Sequence, residues 1–160
     1  MHEMLLREIQ KDMEGPTFSD EASLVLRNAE KEALNMNQYY ISTLHLLSAL
    51  TSAQQTSFIF EDLKIDSTLI KNTGEKLGLE TSEDPISEKQ LRWAERTKEV
   101  MREAKLNAGL KRKYKIEPYD ILVGITRTPN SLGAKILKKL RVNKKTLIEY
   151  NKKISKPLFT

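Results

Sequence analysis

Apolar residues recur at helical spacing along most of the chain. Ala22, Val25, Leu26, Ala29 and Ala33 follow at three- and four-residue steps, which is one face of a helix. Phe18-Ser19-Asp20-Glu21 ahead of them reads as the helix start, with Ser19 as N-cap and two acids in the first turn. Asn35 and Asn37 end the run. In this reading Thr43 caps a second helix whose buried stripe is Leu46, Leu47 and Leu50. Phe58, Ile59 and Phe60 mark a short third helix over about residues 57–63. Asp66 or Ser67 caps a fourth, carrying Leu69, Ile70 and Leu77 and stopping near Gly78.

The series then starts again. Residues 79–86, with Thr81, Ser82, acids and Pro85, read as a linker. Ser87 is expected to cap a long helix through Leu91, Ala94, Val100, Met101 and Ala104 to about Ala108. Pro118 suits the first turn of the next helix, where its missing N–H costs nothing. Two more helices fall near residues 131–140 and 144–154. Segments Val25–His45 and Val100–Asp120 are two versions of one pattern, offset by 75 residues. Ala29 matches Ala104, Ala33 matches Ala108, Ile41 matches Ile116 and Leu47 matches Leu122, while Trp93 falls in the place of Phe18. After a two-residue slip, Leu63-Lys64-Ile65 matches Leu140-Arg141-Val142. Such self-similarity sets the architecture. No sustained alternation of strand type is visible. The expected fold is therefore all-α, with about eight helices in two tandem pseudo-symmetric four-helix repeats. Its divisions are residues 1–17 as an extension, 18–78 as the first repeat, 79–86 as linker, 87–154 as the second repeat and 155–160 as a tail.

Bulk composition narrows the chemistry. With no cysteine among 160 residues, disulfides, thiolate metal sites and cysteine nucleophiles are excluded. No apolar run approaches the roughly 18 residues that span a bilayer. Acids near the start and a broken apolar stretch argue against a secretory signal, so a cytoplasmic protein is expected. The net charge of +5 is unevenly divided: residues 1–80 carry −6 and residues 81–160 carry +11. That asymmetry suits either docking of the halves or an anionic partner for the second half.

The sharpest local signature is Ile41-Ser42-Thr43-Leu44-His45-Leu46-Leu47, with Ile116-Glu117-Pro118-Tyr119-Asp120-Ile121-Leu122 as its counterpart. Phe18-Ser19-Asp20-Glu21-Ala22 and Ala29-Glu30-Lys31-Glu32-Ala33 precede the first of these. Together they resemble the N-terminal repeat domain of the Clp/Hsp100 protein-unfolding machines, as in ClpA, ClpB and above all ClpC. The resemblance covers about residues 18–154 in both repeats and in the right order. It implies a non-catalytic module that docks substrate, an adaptor, a Clp ATPase or a ClpP-type protease. The six glycines include no Gly-x-x-x-x-Gly-Lys-Ser/Thr loop, so a free-standing domain without ATPase modules and without a cofactor is expected. ClpC-type domains carry a Glu before the motif His in each repeat, and those carboxylates pair with phosphorylated arginine. The matching positions here are Leu44 and Tyr119, which offer no charge to a guanidinium.

Recognition through apolar and aromatic side chains is expected instead. The candidate partner-binding residues are Leu44, Tyr119, Tyr39, Tyr40 and Tyr114, the tyrosines being assigned to two equivalent loops before helices. His2 and His45 lack metal spacing, so no metal site is expected. His45 is expected to bond locally in the first turn of its helix, and Trp93 to pack in the core. No catalytic residue stands out. Lys111-Arg112-Lys113 with Tyr114, and Lys138-Lys139-Arg141-Lys144-Lys145, keep a second reading open, a nucleic-acid-associated helical protein.

Overall fold

Several of the helices start where a side chain completes the backbone. The computed structural model describes residues 16–78, 87–111 and 115–155. In the first half α1 spans Asp20–Asn35, α2 Thr43–Leu50, α3 Ser57–Asp62 and α4 Ser67–Lys76. In the second, α5 spans Glu95–Leu110, α6 Pro118–Thr126, α7 Leu132–Lys139 and α8 Lys144–Ser155. Ser19 accepts from Ala22 N–H at 3.0 Å, and Asp66 accepts from Leu69 N–H at 2.8 Å, as N-caps do. Pro118 stands at the first position of α6. The linker read at residues 79–86, the N-terminal extension up to Gly15 and the tail from residue 156 lie outside the described residues.

The duplication is visible in backbone detail. After α3, Lys64 turns into the left-handed region at φ 58°, and after α7 Arg141 does the same at φ 64°. Both helices end in the same paired bonds: Ile65 N–H to Phe60 O at 2.8 Å and Val142 N–H to Leu137 O at 2.9 Å, with Lys64 N–H to Glu61 O and Arg141 N–H to Lys138 O inside them. That is a Schellman ending written twice, at the positions matched by the slipped register.

Four two-residue strands, unexpected from the sequence, tie the repeats together. β1 (Thr17–Phe18) pairs in parallel with β4 (Lys115–Ile116), and β2 (Tyr40–Ile41) pairs in parallel with β3 (Arg92–Trp93). Each repeat thus lends its first strand to the other repeat's second. Ser19 N–H bonds Ile116 O at 3.0 Å and Ala94 N–H bonds Ile41 O at 3.2 Å, which are equivalent contacts exchanged between halves. This pairing corrects the start of the long helix. Ser87 does not cap it; a 3-10 turn at Glu88–Gln90 and β3 come first, and α5 begins at Glu95 with Ala94 as N-cap. The reason is that Trp93 must sit opposite Ile41, where it is buried as Phe18 is buried opposite Ile116. Thr43 is likewise not the N-cap of α2; Ser42 is, and Thr43 is the first helical residue.

One apolar core runs through both halves, from Leu26, Ile41, Leu44 and Leu47 to Met101, Ile116 and Leu122. The most extensive packings are α5 on α6 and α1 on α2, again equivalent pairs. Small residues allow that closeness. A Cβ on Gly124 would lie 2.5 Å from Val100 O, so α5 and α6 approach to backbone contact there.

Candidate functional site

The start of α2 and the start of α6 are the same place in the two repeats, built with different chemistry. At α2, Ser42 N–H donates to His45 Nδ1 at 2.8 Å. At α6, Glu117 N–H donates to Asp120 Oδ2 at 2.9 Å, while Asn107 Nδ2 donates to Asp120 Oδ1 at 2.7 Å. Both side chains reach back from the third helical position to an orphan amide, the arrangement of a capping box. His45 is fully buried, and burial first, then the nearby Lys71 ammonium, lowers its pKa to about 3. An Nδ1 that accepts leaves the neutral ring's proton on Nε2, and that nitrogen has no hydrogen-bond partner. His45 therefore bonds locally as expected.

One of the two helix starts is closed and the other is open. Gln55, from the loop before α3, accepts from Tyr119 N–H at 2.8 Å, and its own N–H donates to Glu21 Oε1 at 2.6 Å. That seals the start of α6. At α2, Thr43 Oγ1 accepts from Gly133 N–H at 2.7 Å, which draws the start of α7 alongside. Beside this contact a cleft of about 430 Å³ remains, lined by Ser42, Thr43, Leu77, Arg96, Leu132 and Lys135 among others. The cleft combines apolar walls with two cations, and no carboxylate lines it.

The sequence-derived site residues divide. Leu44 is 0% exposed and Tyr119 2%, so neither side chain presents a face to a ligand, a correction to the expected apolar contact. Packing encloses both helix starts: α7, from the opposite half, lies against α2, and α8, from the same half, packs on α6. Tyr119 donates its hydroxyl to Leu147 O at 2.8 Å and lies 4.9 Å beneath Lys111 Nζ. Burial first, and Asp120 second, push its phenol up to about 12. Tyr119 is also the second residue of α6 and not in the loop before it. Tyr39 and Tyr40 are exposed at 44% and 60%, on the loop and strand leading into α2. Tyr114 lies outside the described residues.

Arg96, Leu132 and Lys135 escaped the sequence reading. They come from α5 and α7, far apart along the chain, and only the tertiary fold brings them to Thr43. Among the described residues no group of His, Asp or Glu is arranged to hold a metal ion. No described helix is long and apolar enough to cross a membrane.

No curated protein sequence matches the chain. Solved structures do. A protein from a malarial protein secretion system superposes with a TM-score of 0.71 at 17% identity, over 89% of this chain and 97% of that one. The N-terminal domain of the ClpD chaperone from Arabidopsis thaliana gives 0.68 at 21% identity, over 87% and 97%. The Hsp104 N-terminal domain from Candida albicans gives 0.68 at 15%, over 86% and 91%. At such identities the likeness concerns the fold. The family model of the Clp repeat (R) N-terminal domain matches residues 17–149, which span both repeats and all four exchanged strands. The interleaved duplication and that match agree, and the chain belongs to the Clp repeat N-terminal domain family.

Proposed function

We propose that the protein is a non-catalytic docking module of the Clp chaperone–protease system, working in the cytoplasm and engaging polypeptides: a substrate, an adaptor, a Clp ATPase or a ClpP-type protease. The observation that supports it best is the open cleft at the start of α2, whose twin at α6 is sealed by Gln55. Leu77 and Leu132 offer apolar contact, Arg96 and Lys135 offer charge, and Tyr39 and Tyr40 stand exposed on the approach to α2. Exposed tyrosines beside a half-apolar cleft are the usual makings of a protein contact. The nucleic-acid reading gains no support from the family or from the fold neighbours.

Affinity capture from the protein's own cell extract tests this, with the unmodified chain and a Tyr39→Ser/Tyr40→Ser variant as baits. Recovery of a Clp ATPase or ClpP-type protease by the first, reduced with the second, is the expected result. Recovery of no Clp component by the unmodified chain overturns the reading.

A further inference from the structure

A second depression, which shares Lys135 with the cleft, has a chemistry of its own. It lies between the end of α6, α7 and the start of α8, with a volume of about 530 Å³, within the range of ligand-sized clefts. Ala134, Leu137 and Val142 give it an apolar floor. Lys135, Lys138, Arg141 and Lys144 form its rim, and no acidic residue lines it. An adjoining hollow of about 380 Å³ is lined by Lys135, Lys138, Lys139 and Arg141. Among the described residues none of these cations has an ion-pair partner.

Helix electrostatics explain only part of this cluster. Lys138 and Lys139 occupy the last turn of α7, where the helix dipole favours cations. Lys144 and Lys145 open α8, whose first turn holds no acid, and there the dipole opposes them. Like charges gathered around an apolar floor, Lys144 against its helix dipole, leave a surface with a missing complement. Its complement is a segment that brings carboxylates for the rim and an apolar side chain for the floor. A bare polyanion would answer the rim and leave the floor in water.

We propose that this groove docks an acidic peptide segment, inserting a leucine or phenylalanine over Leu137 and Val142 while flanking carboxylates meet Lys135, Lys138, Arg141 and Lys144. This deepens the docking reading above and rests on it, adding a second surface and a chemical class of partner.

The test uses the full chain and a fluorescein-labelled dodecapeptide of Asp and Glu around a central Leu-Phe pair, followed by anisotropy at low salt. Saturable binding is expected. Replacing the peptide's Leu-Phe by Ser-Ser weakens it about tenfold or more on the unmodified protein, which needs no folded variant. Lys135→Glu with Lys138→Glu weakens it by a similar factor, with circular dichroism confirming the fold. Absence of saturable binding, equal binding of the Ser-Ser peptide, equal binding of a single-stranded oligonucleotide, or no effect of the double variant each overturn the proposal. Affinity capture separates the two readings. If the unmodified chain recovers a Clp component and the dodecapeptide still does not bind, the groove assignment fails and the docking function stands. If the unmodified chain recovers none, the docking function fails with it.

Discussion

His45 and Asp120 perform one structural task with two different side chains. Each accepts the N-cap amide of its helix, His45 from Ser42 at 2.8 Å and Asp120 from Glu117 at 2.9 Å. Asp120 is further held by Asn107, whereas the other nitrogen of His45 is buried without a partner. A carboxylate gains from such bonds, while an imidazole serves here only when neutral. The cap of α2 therefore weakens when His45 is protonated in acid.

The sign of that failure follows from the pKa. The folded value near 3 lies below the ordinary 6.5, so between them the unfolded chain binds more protons than the folded one. The contribution of neutral His45 is complete above about pH 6.5 and is lost as pH falls toward 3. The expected slope approaches about 1.4 kcal/mol per pH unit from this residue alone. Urea unfolding from pH 7 to pH 4 should show it. His45→Asn keeps an acceptor near Ser42 N–H and removes the titration, so its stability should vary less over the same range. An equal slope in both proteins would mean that His45 contributes nothing to the pH dependence.

The contact between α5 and α6 at Gly124 yields a second expectation. A Cβ there would stand 2.5 Å from Val100 O and 3.1 Å from Ala104 N, both backbone atoms that cannot rotate away. Gly124→Ala removes a poor helix former yet should destabilise by about 1–3 kcal/mol, because overpacking outweighs the propensity gain. A chemical denaturation midpoint unchanged or raised would show that the helices separate easily.

Nucleotide binding is a third check. The 160 residues contain no glycine-rich loop followed by Lys and Ser/Thr to cradle phosphates. Calorimetry with ATP and Mg²⁺ should give no saturable heat.

The eight helices were legible because their apolar residues recur every three or four positions over six to sixteen residues. The strands were not, since two-residue pairings leave no alternation to read. Trp93 shows the limit well. Its match to Phe18 was visible, but Leu91 and Ala94 also fit a helical stripe, and only the partner strand Tyr40–Ile41 decides between them. The site was less legible than the fold. His45's local bond is a matter of three residues, whereas α7, which packs on α2 and bonds Thr43, arrives from some ninety residues away. Arg96 and Lys135 belong to the cleft through the same long-range packing, and nothing near them in sequence marks it.

Recognition of phosphorylated arginine is where this packing matters most. The ClpC-type domains that the chain resembles carry a Glu where Leu44 and Tyr119 stand. A charge-assisted bond to a guanidinium is worth roughly 1.5–3 kcal/mol, and losing one at each of two sites weakens binding at each by about tenfold or more. The surroundings supply no substitute. At α2 the described lining of the cleft holds no carboxylate to receive a guanidinium, and at α6 the buried Asp120 is already engaged by Glu117 N–H and Asn107. Free phosphoarginine titrated into the unmodified protein should therefore give no saturable signal, by calorimetry or by amide shifts at Ser42–His45 and Glu117–Asp120. Writing the carboxylate back does not rescue the site. Leu44 is fully enclosed in the core, so Leu44→Glu buries an unpaired charge and should lower stability by about 3 kcal/mol or more. Urea unfolding of that variant separates the two possibilities: near-normal stability together with gained phosphoarginine binding would mean that α7 opens away from α2 readily, and that Leu44 faces a pocket after all.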